Sequence, residues 1–447
     1  MKSAMRFSGL AIACVVLLAL SGVLYWSGHH KAAKAASTAS TTPVIIKVNP
    51  SSVTGFTIQQ KGSAPVTLAK QSTGVWQITA PKTLPASQNA VTGVLSNLSP
   101  LNGERVIETN ATDLKPYGLN DPSVTLDVTE KDHAEQKLLF GDNTPTGDSA
   151  YAMVAGDPRI FTTYLFNKTD VNKGLDDLRD TRLITSDPEM MSHIEVTRAG
   201  EDLEFARNKG NWEILKPGPY RADLMTVDGL ADALSGVHMD LTGDGSKDAD
   251  ADFAQGAPVA TVKVTGNTGT QTLEVRKDKD NYYAKSSLVS GAYLIDSSLS
   301  DSLNKKLDDY RNKVVFDFSY NEPNEVDLQI VGQKPGASTQ SWYLKQSGDQ
   351  WWWDGKKMDA DSVEQVVSAL RDLTATKFAS SGFTTPEIVA TVTSSGNHVE
   401  KVMIAKSATS YLAKRADEPT LYVLDGGAVE GLRSAAEKMH VAGPAHK

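Results

Sequence analysis

The chain has 447 residues, a length that allows about three domains of roughly 100 to 200 residues, each with its own hydrophobic core. Its net charge is −9, and the 45 basic and 54 acidic side chains form no long block of one sign, which argues against a nucleic-acid-binding surface. The single cysteine, Cys14, lies near the N-terminus, so the body of the chain has neither disulfides nor a thiol nucleophile.

The first predicted element is an apolar segment, residues 7–26, which contains no charged side chain and follows a short basic N-terminus, residues 1–6. A helix of about twenty residues crosses a hydrocarbon layer of about 30 Å, so this segment predicts one transmembrane anchor. A cleaved signal peptide is the alternative, with residues 33–35 as a loose match to a cleavage site. The basic N-terminus favours the cytoplasm, which predicts a single-pass protein of the inner membrane with its body in the periplasm.

Cys14 falls inside the apolar segment, and we expect it to be a buried apolar thiol. Lipid attachment is the alternative, but residues 11–13 match the required small-residue box poorly. Residues 27–43 are rich in Ala, Ser, Thr and Lys and show no apolar period, which predicts a flexible tether between the anchor and the body.

The body contains a repeated pattern of tryptophans and prolines. The first two copies each open with the motif W-x-I-x-x-P and carry a second proline 46 residues after the tryptophan (122 − 76 and 258 − 212). Self-similarity at a fixed spacing predicts tandem structural copies. The residues that mark the pattern, which we call the repeat anchors, are Trp76, Pro81, Pro122, Trp212, Pro217, Pro258 and Pro386.

Three copies are predicted, over residues 44–186, 187–318 and a shortened 319–440, followed by a tail of residues 441–447. In each copy, short alternating segments predict antiparallel strands, and one segment with apolar residues spaced by three and four predicts a helix. The first two copies end in D-D-x-R, whereas the third lacks this element, as expected of a terminal copy. The predicted fold class is therefore α+β, with mainly antiparallel sheets and helices on one face.

The D-D-x-R arginines, Arg179 and Arg311, are expected to bridge one copy to the next, with contact to a partner as the alternative. The tryptophans Trp76 and Trp212 are expected to be core residues, because each precedes the predicted helix that would cover it.

One stretch of the first copy, residues 117–122, reads Y-G-L-N-D-P. Together with W-x-I-x-x-P, Gly141-Asp142 and residues 178–180, it resembles the domain of unknown function 4340 family over about residues 44–440. The resemblance implies a membrane-anchored protein that accompanies ABC transporters of the gliding-motility type, and it brings no catalytic residue. The second and third copies depart from the motif, so Tyr117 and Leu119 are candidate partner contacts in the first copy only.

No sequence pattern points to catalysis or to a metal. The eight histidines show no H-x-x-x-H or H-E-x-x-H spacing, and G-x-S-x-G and phosphate-loop patterns are absent. The acidic stretch at residues 240–252 offers oxygen ligands, but Ala251 stands where the twelfth residue of a calcium loop would be a carboxylate, and we expect a solvated loop. The sequence predicts a protein that is not an enzyme and has no cofactor or metal.

The run Trp351-Trp352-Trp353 is the candidate for binding. On a strand, Trp351 and Trp353 share one face and Trp352 points to the other, so at least one indole is expected to meet solvent or a partner, unless both faces are covered. The sequence therefore predicts a non-catalytic accessory or substrate-contacting subunit of an ABC-transporter complex. A cell-wall or polysaccharide-binding protein that uses these tryptophans is the alternative, and an exported hydrolase is a third.

Overall fold

The computed structural model describes residues 42–131, 133–242, 246–318, 323–332, 338–407 and 410–443. The predicted anchor, Cys14 and nearly all of the predicted tether lie outside these residues. Within the described ranges, no helix has both the length and the apolar character needed to cross a bilayer. Contacts between residues divide the chain into two units, with the boundary between Thr181 and Arg182.

The first unit contains a nine-stranded sheet and a two-stranded ladder. Its strands are β1 (Val44–Ile46), β2 (Val53–Gln60), β3 (Val66–Lys70), β4 (Trp76–Ala80), β5 (Leu84–Pro85), β6 (Leu101–Asn102), β7 (Arg105–Glu108), β8 (Val124–Glu130), β9 (Gln136–Asn143), β10 (Ser149–Val154) and β11 (Ile160–Tyr164). Its helices are α1 (Gln88–Asn97), α2 (Leu165–Val171) and α3 (Leu175–Leu178). The order in the large sheet is β5-β4-β3-β2-β8-β9-β10-β11-β7, and β1 pairs with β6.

The second unit contains two sheets. The strands of the first are β12 (His193–Arg198), β13 (Glu201–Asn208), β14 (Asn211–Lys216), β15 (Tyr220–Arg221), β16 (Ala257–Gly266), β17 (Gly269–Asp278), β18 (Asn281–Ser286) and β19 (Ala292–Ile295). Its helices are α4 (Leu224–Ser235), α5 (Ala249–Gln255), α6 (Ser298–Leu303) and α7 (Leu307–Tyr310).

The strands of the last sheet are β20 (Pro323–Ile330), β21 (Gln340–Ser347), β22 (Gln350–Trp353), β23 (Lys356–Lys357), β24 (Ala375–Ala379), β25 (Ile388–Ser394), β26 (His398–Lys406), β27 (Tyr411–Arg415) and β28 (Leu421–Leu424). Its helices are α8 (Ala360–Arg371) and α9 (Gly426–Lys438).

The three sheets have the same strand order. Each consists of two four-stranded meanders joined by their first strands, β2 with β8, β12 with β16 and β20 with β25. The two nine-stranded sheets add one strand beyond the second meander, β7 in one and β24 in the other. At that position the eight-stranded sheet has a single bridge, Asp240 to Leu294. The pairing is antiparallel throughout these meanders, which confirms the α+β class.

Each sheet buries one face under a capped helix. The side chain of Ser87 accepts a hydrogen bond from Ala90 N and begins α1, while Asp223 and Asp359 do the same for α4 and α8. The apolar stripe of α1, Val91, Val94 and Leu95, is buried against the strands together with the C-capping residue Leu98. The buried residues of α4 and α8 belong to the cores of their own sheets, so each sheet has a separate hydrophobic core.

The same backbone contact closes all three sheets. The residue before each helix cap forms a bridge at the C-terminal end of the last helix of its sheet: Ala86 with Arg179, Ala222 with Arg311 and, just beyond α9, Met358 with Val441. The cap residue then donates its own N–H to a carbonyl of that end, as Ser87 N does to Leu178 O and Asp359 N does to His440 O. The last sheet has no D-D-x-R sequence at this place, yet the backbone that follows α9 forms the same contact. Backbone hydrogen bonds need no particular side chain, so the sequence pattern does not show this closure.

The expectation of a solvated loop over residues 240–252 is wrong from residue 249 onward, where the chain forms α5. Asp250 Oδ1 accepts a hydrogen bond from Ala292 N at 2.8 Å, and Asp252 Oδ2 accepts one from Tyr283 Oη at 2.9 Å. Phe253 shares an apolar cluster with Tyr283. Two of the acidic side chains therefore attach the helix to β18 and β19 instead of facing only water.

Candidate interaction surface

The face of the last sheet opposite α8 and α9 carries a row of aromatic and charged side chains. Trp352 lies opposite Lys345 on one neighbouring strand and opposite Lys357 on the other, and Lys345 lies opposite Glu325. Directly opposed residues of an antiparallel ladder point to the same face, and so does Tyr343, two residues before Lys345. We call Glu325, Tyr343, Lys345, Trp352 and Lys357 the aromatic row.

The tryptophan run is divided between the two faces, as strand alternation requires. Trp351 is buried in the core with α8, and Trp353 is half-buried beside Trp342, with ring centroids 4.6 Å apart. Trp352 is 38% exposed and Tyr343 is 54% exposed. Two aromatic rings of this sheet are therefore available to a partner, and only one of them belongs to the tryptophan run.

Hydrogen bonds hold the polar members of the row in place. The carboxylate of Glu325 accepts from Lys345 Nζ at 2.6 Å and from Tyr343 Oη at 3.0 Å. The bond to Lys345, followed by the bond to Tyr343, lowers the pKa of Glu325, while the same carboxylate raises the pKa of Lys345 and of Tyr343. At neutral pH the row thus presents an ion pair and a neutral phenol ring whose orientation is set by Glu325.

The side chains of the aromatic row are of the kinds that bind a partner. The two rings offer apolar faces, and the neighbouring lysines and carboxylate offer hydrogen-bond donors and acceptors around them. Rings that already occupy one orientation lose little conformational entropy when a partner covers them. The row is suited to stacking against the apolar face of a side chain or a sugar ring.

The structure places Tyr117 and Leu119 in a second small apolar cluster of the first unit. Tyr117 is half-buried, its ring meets that of Tyr151 edge to face with centroids 5.0 Å apart, and its hydroxyl donates to Glu108. Leu119 is 2% exposed. The carbonyl of Tyr117 lies so close to Gly141 that a Cβ at that glycine would stand 2.0 Å from it. The Y-G-L motif and its distant glycine therefore pack a turn onto β9 and β10.

The eight-stranded sheet has a similar packing with a different residue. Phe253 follows Trp212 by 41 residues, as Tyr117 follows Trp76 (253 − 212 and 117 − 76), and it shares a cluster with Tyr283. The sequence shows the aromatic residue at the equal spacing. The sequence does not show that Phe253 packs against Tyr283, which lies on a strand about thirty residues later.

The repeat anchors serve the fold in different ways. The backbone N and O of Trp76 bond to the side chain of Gln88 at 2.9 and 3.0 Å, which joins β4 to α1. Trp212 is buried and donates from Nε1 to Asp228 on α4 at 2.8 Å. Both tryptophans lie in the core, as expected. Of the anchor prolines, Pro81, Pro217 and Pro258 are exposed, and Pro122 and Pro386 are half-buried.

Arg311 bridges the two sheets of the second unit, as predicted for the D-D-x-R arginine. Its guanidinium lies 4.1 Å from the ring centroid of Tyr220 and 3.6 Å from that of Phe378, which belongs to β24. It also pairs with Asp308 at 3.2 Å. In the first unit, Arg179 pairs with the equivalent Asp176 at 3.7 Å.

A buried charge cluster lies at the same junction, and sequence reasoning missed it. Arg415 Nη1 donates to Glu400 Oε1 at 2.8 Å and to Val315 O at 2.7 Å, and both charged side chains are buried. Burial by itself lowers the pKa of Arg415, but the hydrogen bonds to Asp417 and Glu400 outweigh it and raise the pKa. The only signal in the sequence is a charged residue at an inward position of each of two neighbouring strands.

A polar cavity of about 480 Å³ lies beside β19, and its lining includes His238, Asp240, Asp280 and Asp296. Within the part of the chain that the structure describes, no group of three or more His, Cys, Asp or Glu side chains is placed to hold a metal ion. The cavity therefore offers negative charge without an assembled ligand set.

Comparison with known proteins adds one family. The family model described as a domain of unknown function, DUF4340, matches residues 76–215 and again residues 212–391. The two matches begin at Trp76 and Trp212, the first residues of the two W-x-I-x-x-P motifs, and together they extend over more than half of the chain. No curated protein and no solved structure gives a match.

Proposed function

Because this chain belongs to the DUF4340 family, whose model it matches twice in tandem, we propose that it is a non-catalytic binding protein built from three copies of one sheet-and-helix module. In this proposal, residues 7–26 anchor it in the inner membrane and its body lies in the periplasm. There it serves as an accessory or substrate-contacting subunit of a membrane transporter complex, of the ABC type that the family resemblance implies.

The observation that carries the proposal is the aromatic row. Trp352 and Tyr343 are large, exposed rings on a sheet whose opposite face is fully engaged in its own core. Trp and Tyr dominate the energetics of protein interfaces because their burial releases much apolar surface at little entropic cost. The hydrogen bonds of Glu325 hold Tyr343 and Lys345 in place before any partner arrives.

The common strand order supports the modular part of the proposal. Three sheets with the same arrangement of two meanders, and with the same closing backbone contact, are what tandem copies of one module produce. Each copy leaves one sheet face only partly covered, because strands such as β14 and β25 alternate between buried and more exposed residues. Sequence differences on these faces can then serve different partners without altering the fold.

The test is photo-crosslinking of the full-length protein in intact membranes. A photoreactive amino acid at position 352 is expected to capture subunits of a membrane transporter, identified by mass spectrometry. The matched control places it at Met225, which is 87% exposed on α4 and lies outside the aromatic row. Capture of transporter subunits from position 225 but not from 352, or from neither, contradicts the proposal.

A second candidate, a cell-wall or polysaccharide-binding protein, is favoured by the spacing of Trp352 and Tyr343 on adjacent strands of one open face. Two rings exposed on one face of adjacent strands suit the apolar faces of successive sugars. Pull-down with insoluble cell-wall glycan is expected to fail for Trp352→Ala and to persist for Val399→Ala, which removes an apolar side chain that is 58% exposed on the same sheet. Equal retention of the two variants excludes this candidate.

A further inference from the structure

The first unit exposes two aromatic rings side by side at the start of α2. Tyr164 is 53% exposed and Phe166 is 58% exposed. Their ring centroids are 5.6 Å apart and the ring planes differ by 12°, so the rings are stacked. An exposed pair of large rings marks a contact with another apolar surface more often than an isolated exposed side chain does.

This ring pair stands next to the point where the described chain begins. Gly103 N donates to Pro43 O at 2.8 Å. The carbonyl of the preceding residue, Asn102, accepts from Thr163 Oγ1 at 2.9 Å, and Thr163 directly precedes Tyr164. Two hydrogen bonds thus connect Pro43 to the end of β11, and they hold Pro43 on the order of 10 Å from the ring pair.

The chain before Pro43 leads to the apolar segment within a short distance. Residues 27–42 separate the two, and sixteen residues span at most about 56 Å in any conformation. A bilayer that holds residues 7–26 is therefore within reach of the face that carries the rings. Of the exposed surfaces in the first unit, the one beside Pro43 is held closest to such a bilayer by covalent connection.

We propose that Tyr164 and Phe166 insert into the interfacial layer of the bilayer that carries the anchor and thereby orient the first unit on the membrane; this rests on the anchor of the proposed function. Tyrosine suits the headgroup level because its ring is apolar and its hydroxyl remains hydrogen-bonded to water or lipid. Phenylalanine adds apolar area beside it.

The charges around the ring pair indicate which property of the lipid matters. Asp148, whose carbonyl oxygen accepts from Leu165 N, and Asp170 on α2 are acidic. The basic side chain of α2, Lys168, is turned inward, where Nζ donates to Gly141 O at 2.8 Å and to Asn143 Oδ1 at 2.9 Å. The contact is therefore driven by burial of the rings and does not need anionic lipid.

The test uses the full chain in phosphatidylcholine vesicles, with a spin label on α2. Cys14→Ser removes the single cysteine, and Thr169→Cys introduces a labelling site at an exposed position one turn after Leu165. Collision rates with oxygen and with a water-soluble nickel chelate report the depth of the label. We expect headgroup depth for the native rings and an aqueous position for Tyr164→Ser/Phe166→Ser, each ring contributing about tenfold to the population in contact with lipid.

Val75→Ser is the matched control, because Val75 is 52% exposed at the turn before β4. Six strand steps separate β4 from β11, a distance of about 29 Å at 4.8 Å per step, so this change should leave the label at headgroup depth. A thermal melt of each variant confirms that it is folded.

The outcomes separate the two proposals. Protein that fails to float with the vesicles refutes the anchor and the inference with it. Protein that floats while its label remains in water, with or without the rings, overturns the inference and leaves the anchor standing. A label that is shielded from oxygen as well as from the nickel chelate lies against protein, because oxygen enters a bilayer, and this also overturns the inference.

Discussion

Replacing Gly141 by alanine tests the explanation of the Y-G-L motif. A Cβ at this position would stand 2.0 Å from Tyr117 O, 3.1 Å from Gly118 C and 3.1 Å from Leu119 Cγ. The nearest atom is a backbone oxygen, which cannot rotate away as a side chain can. The turn would have to move by more than 1 Å, because non-bonded carbon and oxygen atoms remain about 3.2 Å or more apart.

The magnitude follows from what this movement disturbs. Overpacking of a close-packed interior costs about 1–3 kcal/mol. Displacing Tyr117 from its edge-to-face contact with Tyr151 adds about 0.5–1.5 kcal/mol. We therefore expect Gly141→Ala to lower the opening free energy of this part of the sheet by about 1.5–4.5 kcal/mol, which is a factor of about 10 to 2,000 in the opening equilibrium.

Hydrogen exchange measured by mass spectrometry on the full-length protein gives this opening equilibrium for β9 and β10. Gly93→Ala is the control, because Gly93 lies within α1 and a Cβ there meets nothing within 4 Å. Alanine is the better helix former by about 1 kcal/mol, so protection around α1 should be unchanged or increased. Wild-type exchange in β9 and β10 of Gly141→Ala would refute the close-packing argument.

Three further predictions concern the last sheet. Trp351 lies in the core, so Trp351→Ala should lower the free energy of unfolding, measured by urea denaturation, by about 3–5 kcal/mol. Trp352→Ala should change it by less than about 1 kcal/mol. Similar values for the two variants would contradict the faces assigned to the two side chains. Arg415→Met leaves its partner carboxylate buried without a counter-ion and should cost about 3–5 kcal/mol by the same assay, while a loss below 1 kcal/mol would show that water reaches the cluster. Lys345 lowers the pKa of Glu325 in the folded state. The pair therefore stabilises the fold at a pH above the ordinary glutamate pKa, and this stability is lost as the pH falls through the lowered pKa. In an NMR titration the midpoint of Glu325 should rise in Lys345→Met, and an unchanged midpoint would disprove the coupling.

Features that depend on neighbouring residues could be predicted from the sequence. A helix in the first copy was expected because apolar residues recur there at three and four positions, a signal that acts within one or two turns, and α1 is that helix. The division of the tryptophan run followed from the period of two in a strand. The motifs W-x-I-x-x-P and Y-G-L-N-D-P carried the resemblance to the family, and the two family matches start at the tryptophans of the first motif.

Contacts between distant residues were decided by the tertiary structure alone. Tyr343 joins Trp352 because a hairpin sets their strands in register, and Phe378 meets Arg311 because β24 crosses to the far edge of its sheet. The backbone around Val441 closes the last sheet without any sequence signature.

The ring pair of the first unit is a further case. Pro43 and Tyr164 are 121 positions apart (164 − 43). Hydrogen bonds that involve mostly backbone atoms link Pro43, through Gly103 and Asn102, to Thr163, the residue before Tyr164. The spacing of apolar residues within one helix or strand shows which face of that element is buried, because the buried face requires apolar side chains at a fixed spacing. Backbone pairing over long distances places no comparable demand on side chains, so only the folded chain shows which residues it brings together.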